Sequence, residues 1–391
     1  MINLTDYGIE MWDDEKIASF RRTLLNWYDN EKRDLPWRRT KNPYFIWISE
    51  IMLQQTQVVT VIPYYERFLE WFPTIEDLAN APEDKLLKAW EGLGYYSRVR
   101  NMQKAAQEIM VKFDGVFPDN HKDILSLKGI GPYTAGAISS IAFGLAEPAV
   151  DGNVMRVMAR LFEVNYDIGE PKNRKIFQAI MEILIDPERP GDFNQALMDL
   201  GTDIESAKNP RPDESPIRFF SAAYLHGTYD KYPIKLPKKK PKPLQLQAFV
   251  IRNNGGDFLL EKNLDGRLLG GFWSFPIVET DFIGQQLDLF EKNTASLKTV
   301  SQKALFEKDY QVTPDWTKRE FSPVKHTFSH QKWTIELIEG MVTSDEVSKD
   351  KELRWVSLDQ LQDYPMATPQ KKMLAEYLKK IDYDQFKQSF L

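Results

Sequence analysis

Apolar residues recur every three or four positions through roughly the first 230 residues of the chain. This spacing gathers apolar side chains on one face of a helix, so it predicts a mostly helical region. The first predicted helix runs from Trp12 to Asn30, and a second opens at Asn42 and Pro43, because proline suits the first turn of a helix. Further helices are predicted over 76–91, 99–113, 122–127, 133–143, 152–162, 173–185 and 192–204.

The pattern changes after a segment rich in proline and lysine. Residues 232–243 hold four prolines and five lysines, which disfavour a helix or a central strand and predict an extended linker. Beyond it, apolar and polar residues alternate from Leu244 to Val250, as in a half-buried strand. A turn at 253–256 and a strand at 258–260 follow, with further strands predicted in 272–276, 333–342 and 353–356 and helices near 297–308 and 368–379.

These patterns divide the chain into three parts. Residues 1–231 form a mostly α N-terminal region, residues 232–243 a linker, and residues 244–391 an α+β C-terminal domain. The length of 391 residues fits two domains, since a single core rarely grows beyond about 250–300 residues. No apolar run is long enough to span a bilayer, and the N-terminus does not resemble a secretory signal, so we expect no membrane partner and a cytoplasmic, nucleoid-associated location.

Composition narrows the chemistry. The chain has no cysteine, which excludes disulfides, thiolate metal sites and cysteine nucleophiles. Its four histidines argue against a multi-histidine metal site or a Ser-His-Asp triad, so acid–base chemistry falls mainly to Asp, Glu, Lys or Tyr. The net charge of −6 does not exclude a nucleic-acid partner, because binding depends on the local field of one face. The linker lysines either form a solvated connector or also follow DNA phosphates.

Residues 127–137 (LKGIGPYTAGA) predict a helix, a tight turn and a second helix. Gly129 and Gly131 allow the backbone to turn sharply and to approach a ligand closely. The second helix then begins with free N–H groups that can bind a phosphate oxygen. Asp151 follows in a turn rich in glycine and asparagine. A phosphate anchor beside a lone carboxylate suggests chemistry on a nucleic acid.

This turn resembles the helix-hairpin-helix DNA glycosylases. Four further blocks occur in the order found in the adenine DNA glycosylase (MutY) family, namely LPWR at 35–38, WISEIMLQQTQV at 47–58, GLGYYSR at 92–98 and FNQALMDLG at 193–201. The resemblance implies an enzyme of base-excision repair that hydrolyses the N-glycosidic bond of adenine mispaired with 8-oxoguanine or guanine. The implied partner is double-stranded DNA with those mispairs, and we expect a monomer.

Glu50 is the candidate general acid. Its neighbours in the sequence are apolar, and desolvation there would favour the neutral, proton-donating form of the side chain. Taken alone, a glutamate is more often a surface residue of a helix. The resemblance implies that Glu50 protonates N7 of an adenine that has been flipped out of the duplex.

Asp151 is the candidate stabiliser of the cationic sugar. Its position in a turn also suits a helix N-cap, the commonest use of aspartate there. The resemblance implies that Asp151 faces the sugar, with Tyr133 and Asn153 beside it as catalytic residues. Bifunctional relatives carry a lysine at the position of Tyr133, and a phenol cannot form a Schiff base. We therefore expect a monofunctional enzyme that leaves an abasic site.

The resemblance also implies residues that contact DNA. Gln54, Gln55 and Tyr95 are candidates for filling the gap left by the flipped base, although solvent exposure of the glutamines and packing of the tyrosine are the simpler readings. The DNA-binding set is completed by Gly129, Gly131 and Arg38.

Residues 326–332 (HTFSHQK) are similar to a loop with which the family recognises 8-oxoguanine. Phe328, Ser329 and His330 would supply a stacking group and polar groups. The surrounding domain resembles a Nudix fold through LLGGFWSFP at 268–276. The sequence after Pro276 (IVETDFIGQQ) lacks the Arg-Glu and Glu-Glu pairs of a Nudix hydrolase, so we expect a recognition domain that performs no chemistry.

Most members of the family hold an iron–sulfur cluster on four cysteines spaced C-x6-C-x2-C-x5-C. That spacing falls here on Glu205, Pro212, Ser215 and Ser221, none of which can act as a thiolate ligand. We therefore expect a clusterless member with no metal and no cofactor. The segment is expected to be held by hydrophobic packing of Ile217, Phe219, Phe220, Tyr224 and Leu225.

Three other functions fit the sequence less well. A glycosylase for thymine opposite guanine is disfavoured by the recognition loop and the second domain. A protein that flips bases without cutting is disfavoured by the presence of both Glu50 and Asp151. A Nudix hydrolase is disfavoured by the missing metal carboxylates.

Overall fold

The chain folds into two units, each built from two chain segments. The computed structural model describes residues 2–237, 240–264, 266, 268–279 and 302–388, with side chains to residue 382. The first unit comprises Met1–Ala81 and Ser97–Lys238, and the second comprises Pro82–Tyr96 and Lys239–Leu391. The sequence-based division placed all of residues 1–231 in one domain, whereas Pro82–Tyr96 belongs to the second unit.

The chain up to Leu225 is mostly helical, as predicted. Its helices are α1 (Asp14–Glu31), α2 (Pro43–Leu53), α3 (Val58–Trp71), α4 (Ile75–Ala79), α5 (Glu83–Ala89), α6 (Ser97–Lys112), α7 (His121–Ser126), α8 (Pro132–Phe143), α9 (Gly152–Leu161), α10 (Arg174–Leu184), α11 (Pro190–Asp203) and α12 (Ala222–Leu225), of which α5 belongs to the second unit. Most predicted helices are confirmed to within a few residues at either end.

Two departures from the prediction have physical causes. The helix predicted over 76–91 is divided, because α4 ends before Asn80 and Pro82 is the N-cap of α5. A proline inside a helix would remove a hydrogen bond and clash with the preceding turn. Helix α3 was not predicted, since it opens on β-branched residues and contains Pro63. Its buried Val61 and Phe68 show that tertiary packing outweighs these local preferences.

Apolar spacing and capping define α1. The Asp13 carboxylate accepts a hydrogen bond from the Lys16 N–H at 2.8 Å and so caps the first turn. The predicted apolar stripe is buried, and its members lie in one core cluster with residues of α9, α10 and α11. The stripe consists of Ile17, Phe20, Leu24, Leu25 and Tyr28.

The second unit contains a mixed β-sheet. Its strands are β1 (Lys242–Arg252), β2 (Phe258–Lys262), β3 (Trp273–Ser274), β4 (Ile277–Glu279), β5 (Asp315–Trp316), β6 (Val324–Thr327), β7 (Gln331–Met341) and β8 (Leu353–Val356). The central path runs β3-β2-β1-β7-β5, and β1 and β7 are parallel. The predicted strands are confirmed, whereas the short β4, β5 and β6 were not predicted.

Successive side chains of β1 point to opposite faces of this sheet, and apolar residues of β1 are buried on both faces. Leu246 and Val250 lie in one apolar cluster with Tyr377 of helix α14 (Thr368–Gln388). Phe249 and Ile251 lie in a second cluster, on the opposite face. That cluster includes the buried face of helix α13 (Gln302–Tyr310). Residues 280–301, which include the start of the helix predicted at 297–308, lie outside the described residues.

The linker is shorter than predicted. The Ile234 carbonyl accepts a hydrogen bond from the Ile168 N–H at 3.0 Å, so the start of the proline-rich segment is attached to the first unit. Lys242 and Pro243 already belong to β1, where Lys242 pairs with Gln331. Within the part of the chain that the structure describes, no helix is both long enough and apolar enough to cross a membrane.

Candidate active site

A cavity of about 1050 Å³ opens in the first unit and contains the predicted catalytic residues. Its wall includes Glu50 from α2, Tyr133 from α8, and Asp151 and Asn153 from the start of α9. Residues separated by a hundred positions in the sequence therefore meet around one space. The predicted DNA-contacting residues on the same wall are Arg38, Gln54, Gln55, Gly129 and Gly131.

Glu50 is buried within α2, and its side chain is 6% exposed. The pKa of Glu50 rises from 4.5 to about 7. Burial is the main cause of this rise, and the negative charge of Asp151 contributes to it. A hydrogen bond from Tyr133 and the positive charge of Arg38 act in the opposite direction. A carboxyl group with this pKa is protonated in about half of the molecules at pH 7 and can donate its proton to a bound base.

Tyr133 is the direct partner of Glu50. The Tyr133 hydroxyl donates a hydrogen bond to Oε2 of Glu50 at 2.6 Å. Burial is the main cause of a phenol pKa well above 10, with smaller contributions from the charges of Glu50 and Asp151. The phenol therefore remains a hydrogen-bond donor when Glu50 becomes ionised.

Asp151 caps helix α9 and faces the cavity, so both sequence readings apply to it. One carboxylate oxygen accepts the N–H groups of Asn153 and Val154, each at 2.8 Å. The other accepts the side-chain Nδ2–H of Asn153 at 2.9 Å. Burial raises the pKa of Asp151 above 3.8, while these hydrogen bonds and the charge of Arg156 oppose the rise. Donors therefore surround the ionised form of Asp151.

Arg38 lies on the cavity wall rather than on an exposed surface. Its Nη1 lies 2.8 Å from Oδ2 of Asp199, and its Nε donates to Oε1 of Gln195 at 3.1 Å. Arg33 forms a second ion pair with the same buried Asp199. Sequence reasoning missed Asp199, although it lies within the FNQALMDLG block; a carboxylate in an apolar helix is the signal that could have found it.

Gln54 and Gln55 follow the end of α2 at the rim of the cavity. Gln54 is half-buried and donates a hydrogen bond from Nε2 to the Thr134 hydroxyl at 3.2 Å. Gln55 is exposed and has a φ of +59°, a left-handed conformation that is uncommon for glutamine. Nη1 of Arg98 donates to the Ile51 and Gln54 carbonyls at 2.7 and 2.6 Å and so fixes this turn.

The helix-hairpin-helix turn requires glycine at one of its two positions. Gly129 has a φ of +78°, and a Cβ at this residue would lie 2.6 Å from Cβ of Asn101. Gly131, in contrast, has a φ of −96° and open space where a Cβ would be, so its backbone conformation does not itself require glycine, and the expected close approach to a ligand stays a prediction. Gly131 is the N-cap of α8 and has no side chain that could accept the first N–H groups.

Comparison with known proteins decides the family. The HhH-GPD superfamily base excision DNA repair protein model matches residues 48–184, and the NUDIX domain model matches residues 247–376. An adenine DNA glycosylase of Buchnera aphidicola subsp. Baizongia pistaciae is 34% identical over 364 residues, covering 92% of this chain and 97% of the relative. The chain belongs to the adenine DNA glycosylase family.

Two eukaryotic relatives are longer than this chain. The human adenine DNA glycosylase is 31% identical over 425 residues, covering 93% of this chain and 75% of the relative. The chain spans only 59% of the Arabidopsis thaliana adenine DNA glycosylase, with 34% identity over 376 residues and coverage of 85% of this chain. The chain thus has a base excision DNA repair domain and a NUDIX domain, and it is a DNA glycosylase of base-excision repair.

The predicted recognition residues of this glycosylase lie in its second unit. Strands β6 and β7 form a hairpin in which the Phe328 N–H donates to the Gln331 carbonyl at 2.7 Å, and Ser329 and His330 form the exposed turn. Phe328 is half-buried, because its ring packs 4.4 Å from the ring of His326 and 4.8 Å from the ring of Trp333. The turn therefore presents its polar groups above packed aromatic rings. We call residues 326–333 the recognition hairpin.

Tyr95, the third candidate for filling the gap in DNA, also belongs to the second unit. Its side chain is 47% exposed, and its φ of +47° places it in the left-handed region. Such a conformation is uncommon outside glycine and asparagine, and it is often retained where a side chain has a function. Within the same unit, the ring of the following residue, Tyr96, lies 4.1 Å from the ring of Phe272.

The residues at the positions of the family's cluster ligands do not fit an iron–sulfur cluster. Glu205 is buried and paired with Arg160 at 3.1 Å, and the Ser221 hydroxyl donates to the Arg160 carbonyl at 3.1 Å. Pro212 has no ligand atom in its side chain, and Ser215 is a hydroxyl rather than a thiolate. In the ranges that the structure describes, no group of three His, Asp or Glu residues could hold a metal ion.

The apolar residues expected to hold the segment 205–225 in place are not all buried. Ile217 is fully buried, but Phe219 is 65% exposed and Leu225 is 56% exposed. The buried polar residues Arg156, Arg160 and Glu205 instead occupy the interior beside this segment. Sequence reasoning missed both arginines; their spacing of four residues within the otherwise apolar α9 was the available signal. The segment after Pro276 was predicted to lack the carboxylates of a Nudix hydrolase, and its residues 280–286 lie outside the described residues.

Proposed function

We propose that this glycosylase removes adenine mispaired with 8-oxoguanine or with guanine, and that Glu50 and Asp151 carry the reaction. One observation supports the proposal most strongly: the two carboxyl groups line one cavity but have different surroundings. Glu50 is buried and has a pKa of about 7, whereas Asp151 accepts three hydrogen bonds that favour its ionised form. A protonated acid beside a carboxylate is the arrangement that glycosidic cleavage requires.

The proposed reaction is hydrolysis assisted by an acid. Glu50 gives its proton to N7 of the extruded adenine, the bond between the base and C1′ of the sugar breaks, and the base leaves as neutral adenine. The ionised Asp151 stabilises the positive charge that develops on the sugar. Water then adds to C1′ and returns its proton to Glu50, which restores the enzyme and leaves an abasic site.

The neighbours of Glu50 assist this proton transfer. The hydroxyl of Tyr133 donates to Glu50 and stabilises the carboxylate that forms when the proton leaves. The positive charge of Arg38 acts in the same direction, while Asp199 holds Arg38 against the cavity wall. Both groups therefore favour the transition state more than the resting acid.

We also propose that the enzyme is monofunctional. Cleavage of the DNA backbone through a Schiff base needs an amine beside C1′. Among the described residues no lysine lines the cavity, and Lys128 of the hairpin turn is exposed and absent from the cavity wall. The side chain that donates to Glu50 is instead the phenol of Tyr133, which cannot form a Schiff base.

Recognition of the opposite base is assigned to the exposed turn of the recognition hairpin. Ser329 and His330 offer hydrogen-bonding groups, and Phe328 supports the turn from below. We propose further that the enzyme needs no cofactor, because the residues at the cluster positions cannot bind iron as thiolates do. We also propose that it acts as a monomer.

A single assay tests the substrate and the outcome. Duplexes with adenine opposite 8-oxoguanine, adenine opposite guanine and thymine opposite guanine are incubated with the protein and then treated with alkali or with water. We expect strand breaks only at adenine and only after alkali. Breaks at thymine would contradict the assigned base, and breaks at adenine without alkali would contradict the monofunctional reaction.

A further inference from the structure

A buried ion pair lies behind the catalytic residues of the first unit. Glu205 and Arg160 are 2% and 4% exposed, and Oε2 of Glu205 accepts a hydrogen bond from Nη1 of Arg160 at 3.1 Å. The Tyr229 hydroxyl donates to the same oxygen at 2.5 Å. The guanidinium of Arg160 also lies 4.2 Å from the centre of the Tyr229 ring. We call Arg160, Glu205 and Tyr229 the buried triad.

The triad fixes the main chain just beyond helix α11. The Glu205 carbonyl accepts hydrogen bonds from Nε of Arg156 at 2.7 Å and from Nη1 of Arg160 at 2.9 Å. Nη2 of Arg156 donates to the Gly201 carbonyl at 2.6 Å. Two arginines are therefore held by carbonyl groups at the C-terminal end of α11, where the helix dipole favours positive charge.

Arg156 connects these carbonyls to the catalytic aspartate. Its Nη2 donates to Oδ1 of Asn153 at 2.6 Å, and Nδ2 of Asn153 donates to Asp151 at 2.9 Å. Because a guanidinium can only donate and a carboxylate can only accept, the Asn153 amide has one orientation that satisfies both. Gly201 allows this contact, since a Cβ there would lie 2.8 Å from Cβ of Asn153.

We propose that Glu205 and Tyr229 are positioning residues for catalysis, which act on Asp151 through Arg156 and Asn153. The triad holds the Glu205 carbonyl, the carbonyl holds the Arg156 guanidinium, and the guanidinium orients the Asn153 amide toward Asp151. The inference rests on the proposed catalytic role of Asp151. In this chain a buried carboxylate and a phenol thus anchor the segment where the resemblance would place a metal cluster.

A purely structural role and a positioning role of Glu205 predict opposite changes in the pKa of Asp151 when Glu205 is replaced. Replacing Glu205 by glutamine removes a negative charge, and the direct effect of that change on the electric field would lower the pKa of Asp151. Loss of positioning would weaken the hydrogen bond from Asn153 and move the charge of Arg156, both of which lower this pKa in the intact protein. Loss of positioning would therefore raise the pKa of Asp151, opposite to the direct effect of the charge change.

The test follows the aspartate carboxyl groups of the full-length protein by carbon-13 NMR, with the Asp151 signal assigned from Asp151→Asn. We expect Glu205→Gln and Tyr229→Phe to raise the pKa of Asp151, and Arg156→Lys to raise it as well. Ile217→Val is the matched control, because Ile217 is fully buried in the same segment but touches the network through no polar atom. It should lower stability and leave the pKa unchanged.

A kinetic readout accompanies the titration. At a temperature where every variant is folded, Glu205→Gln should lower the single-turnover rate about tenfold. Affinity for a duplex with a non-hydrolysable adenine analogue should stay within about twofold of that of the intact protein. An unchanged or lowered pKa of Asp151 in Glu205→Gln would overturn the inference. The titration needs no turnover, so failure of the proposed function would appear separately, as an inactive wild-type protein with the expected pKa shifts.

Discussion

The catalytic cavity and the recognition hairpin place their polar groups in opposite environments. Glu50 is buried at 6% exposure and held by Tyr133, whereas Ser329 and His330 stand exposed at the end of two strands. Burial changes the protonation state of a group, and exposure preserves its freedom to meet a partner. The comparison teaches that the cavity of the first unit can shift the pKa of its side chains, whereas the hairpin of the second unit leaves its polar side chains in contact with solvent.

The largest expected effect is on the chemical step in the cavity. Glu50→Gln removes the proton donor but preserves the acceptor for Tyr133, so the single-turnover rate should fall by about a thousandfold. Affinity for the mispaired duplex should be retained, because the shape of the cavity is unchanged. The matched control is Glu70→Gln, an exposed glutamate of α3, which should cleave normally. A Glu50→Gln variant with full activity would exclude Glu50 as the acid.

Burial of Glu50 should also appear in stability. The unfolded chain releases this proton near pH 4.5 and the folded chain near pH 7, so the free energy of unfolding falls as the pH rises through that window. The difference amounts to about 3 kcal/mol at pH 8, from about 1.4 kcal/mol for each pKa unit. Glu50→Gln should therefore stabilise the protein by about this amount at pH 8 and by little at pH 4.5. Urea unfolding of both proteins at the two pH values measures it, and equal gains at both would contradict a buried, titrating Glu50.

A smaller effect is expected at Tyr133. Tyr133→Phe removes the hydrogen bond that stabilises the Glu50 carboxylate, so the rate should fall by about tenfold. The same loss raises the pKa of Glu50, and the decline of activity on the alkaline side should move to higher pH. Single-turnover rates measured from pH 5 to pH 9 test both statements. A rate that falls with no movement of the alkaline limb would assign Tyr133 to substrate placement instead.

The smallest effect on cleavage is expected from the recognition hairpin. Ser329→Ala combined with His330→Ala should reduce the preference for 8-oxoguanine over guanine by about tenfold, because hydrogen bonds worth about 1.4 kcal/mol in total are lost. The rate on adenine opposite guanine should hardly change. Thr327→Ala, exposed on the same hairpin, is the matched control. An unchanged preference in the double variant would remove the hairpin from recognition.

The sequence predicted the two regions to different depths. Periodicity located nearly every helix of the first unit, and the apolar neighbours of Glu50 correctly indicated a buried carboxyl group. It missed α3, because β-branched residues and Pro63 disfavour a helix that only tertiary packing stabilises. In the second unit, the long alternating β1 and β7 were visible, but strands of two to four residues such as β5 carry too few positions to show a period.

Contacts between distant residues were the harder part of the site. The motifs named Glu50 and Asp151, but nothing in their spacing showed that Tyr133, which lies 83 residues after Glu50, would donate to it. The role of Glu205 was hidden for the same reason, since its partner Arg160 lies 45 residues earlier. A local pattern reports the face of an element, whereas a buried polar network depends on which faces meet.

The central claim is that the cavity raises the pKa of Glu50 to about 7, so that a large share of the enzyme carries the neutral acid at pH 7. Its most direct test is a carbon-13 NMR titration of the glutamate carboxyl groups in the protein without DNA, with the Glu50 signal identified by its loss in Glu50→Gln. The account predicts that Glu50 titrates with a pKa of about 7. A midpoint near 4.5, the ordinary value of glutamate, would contradict it.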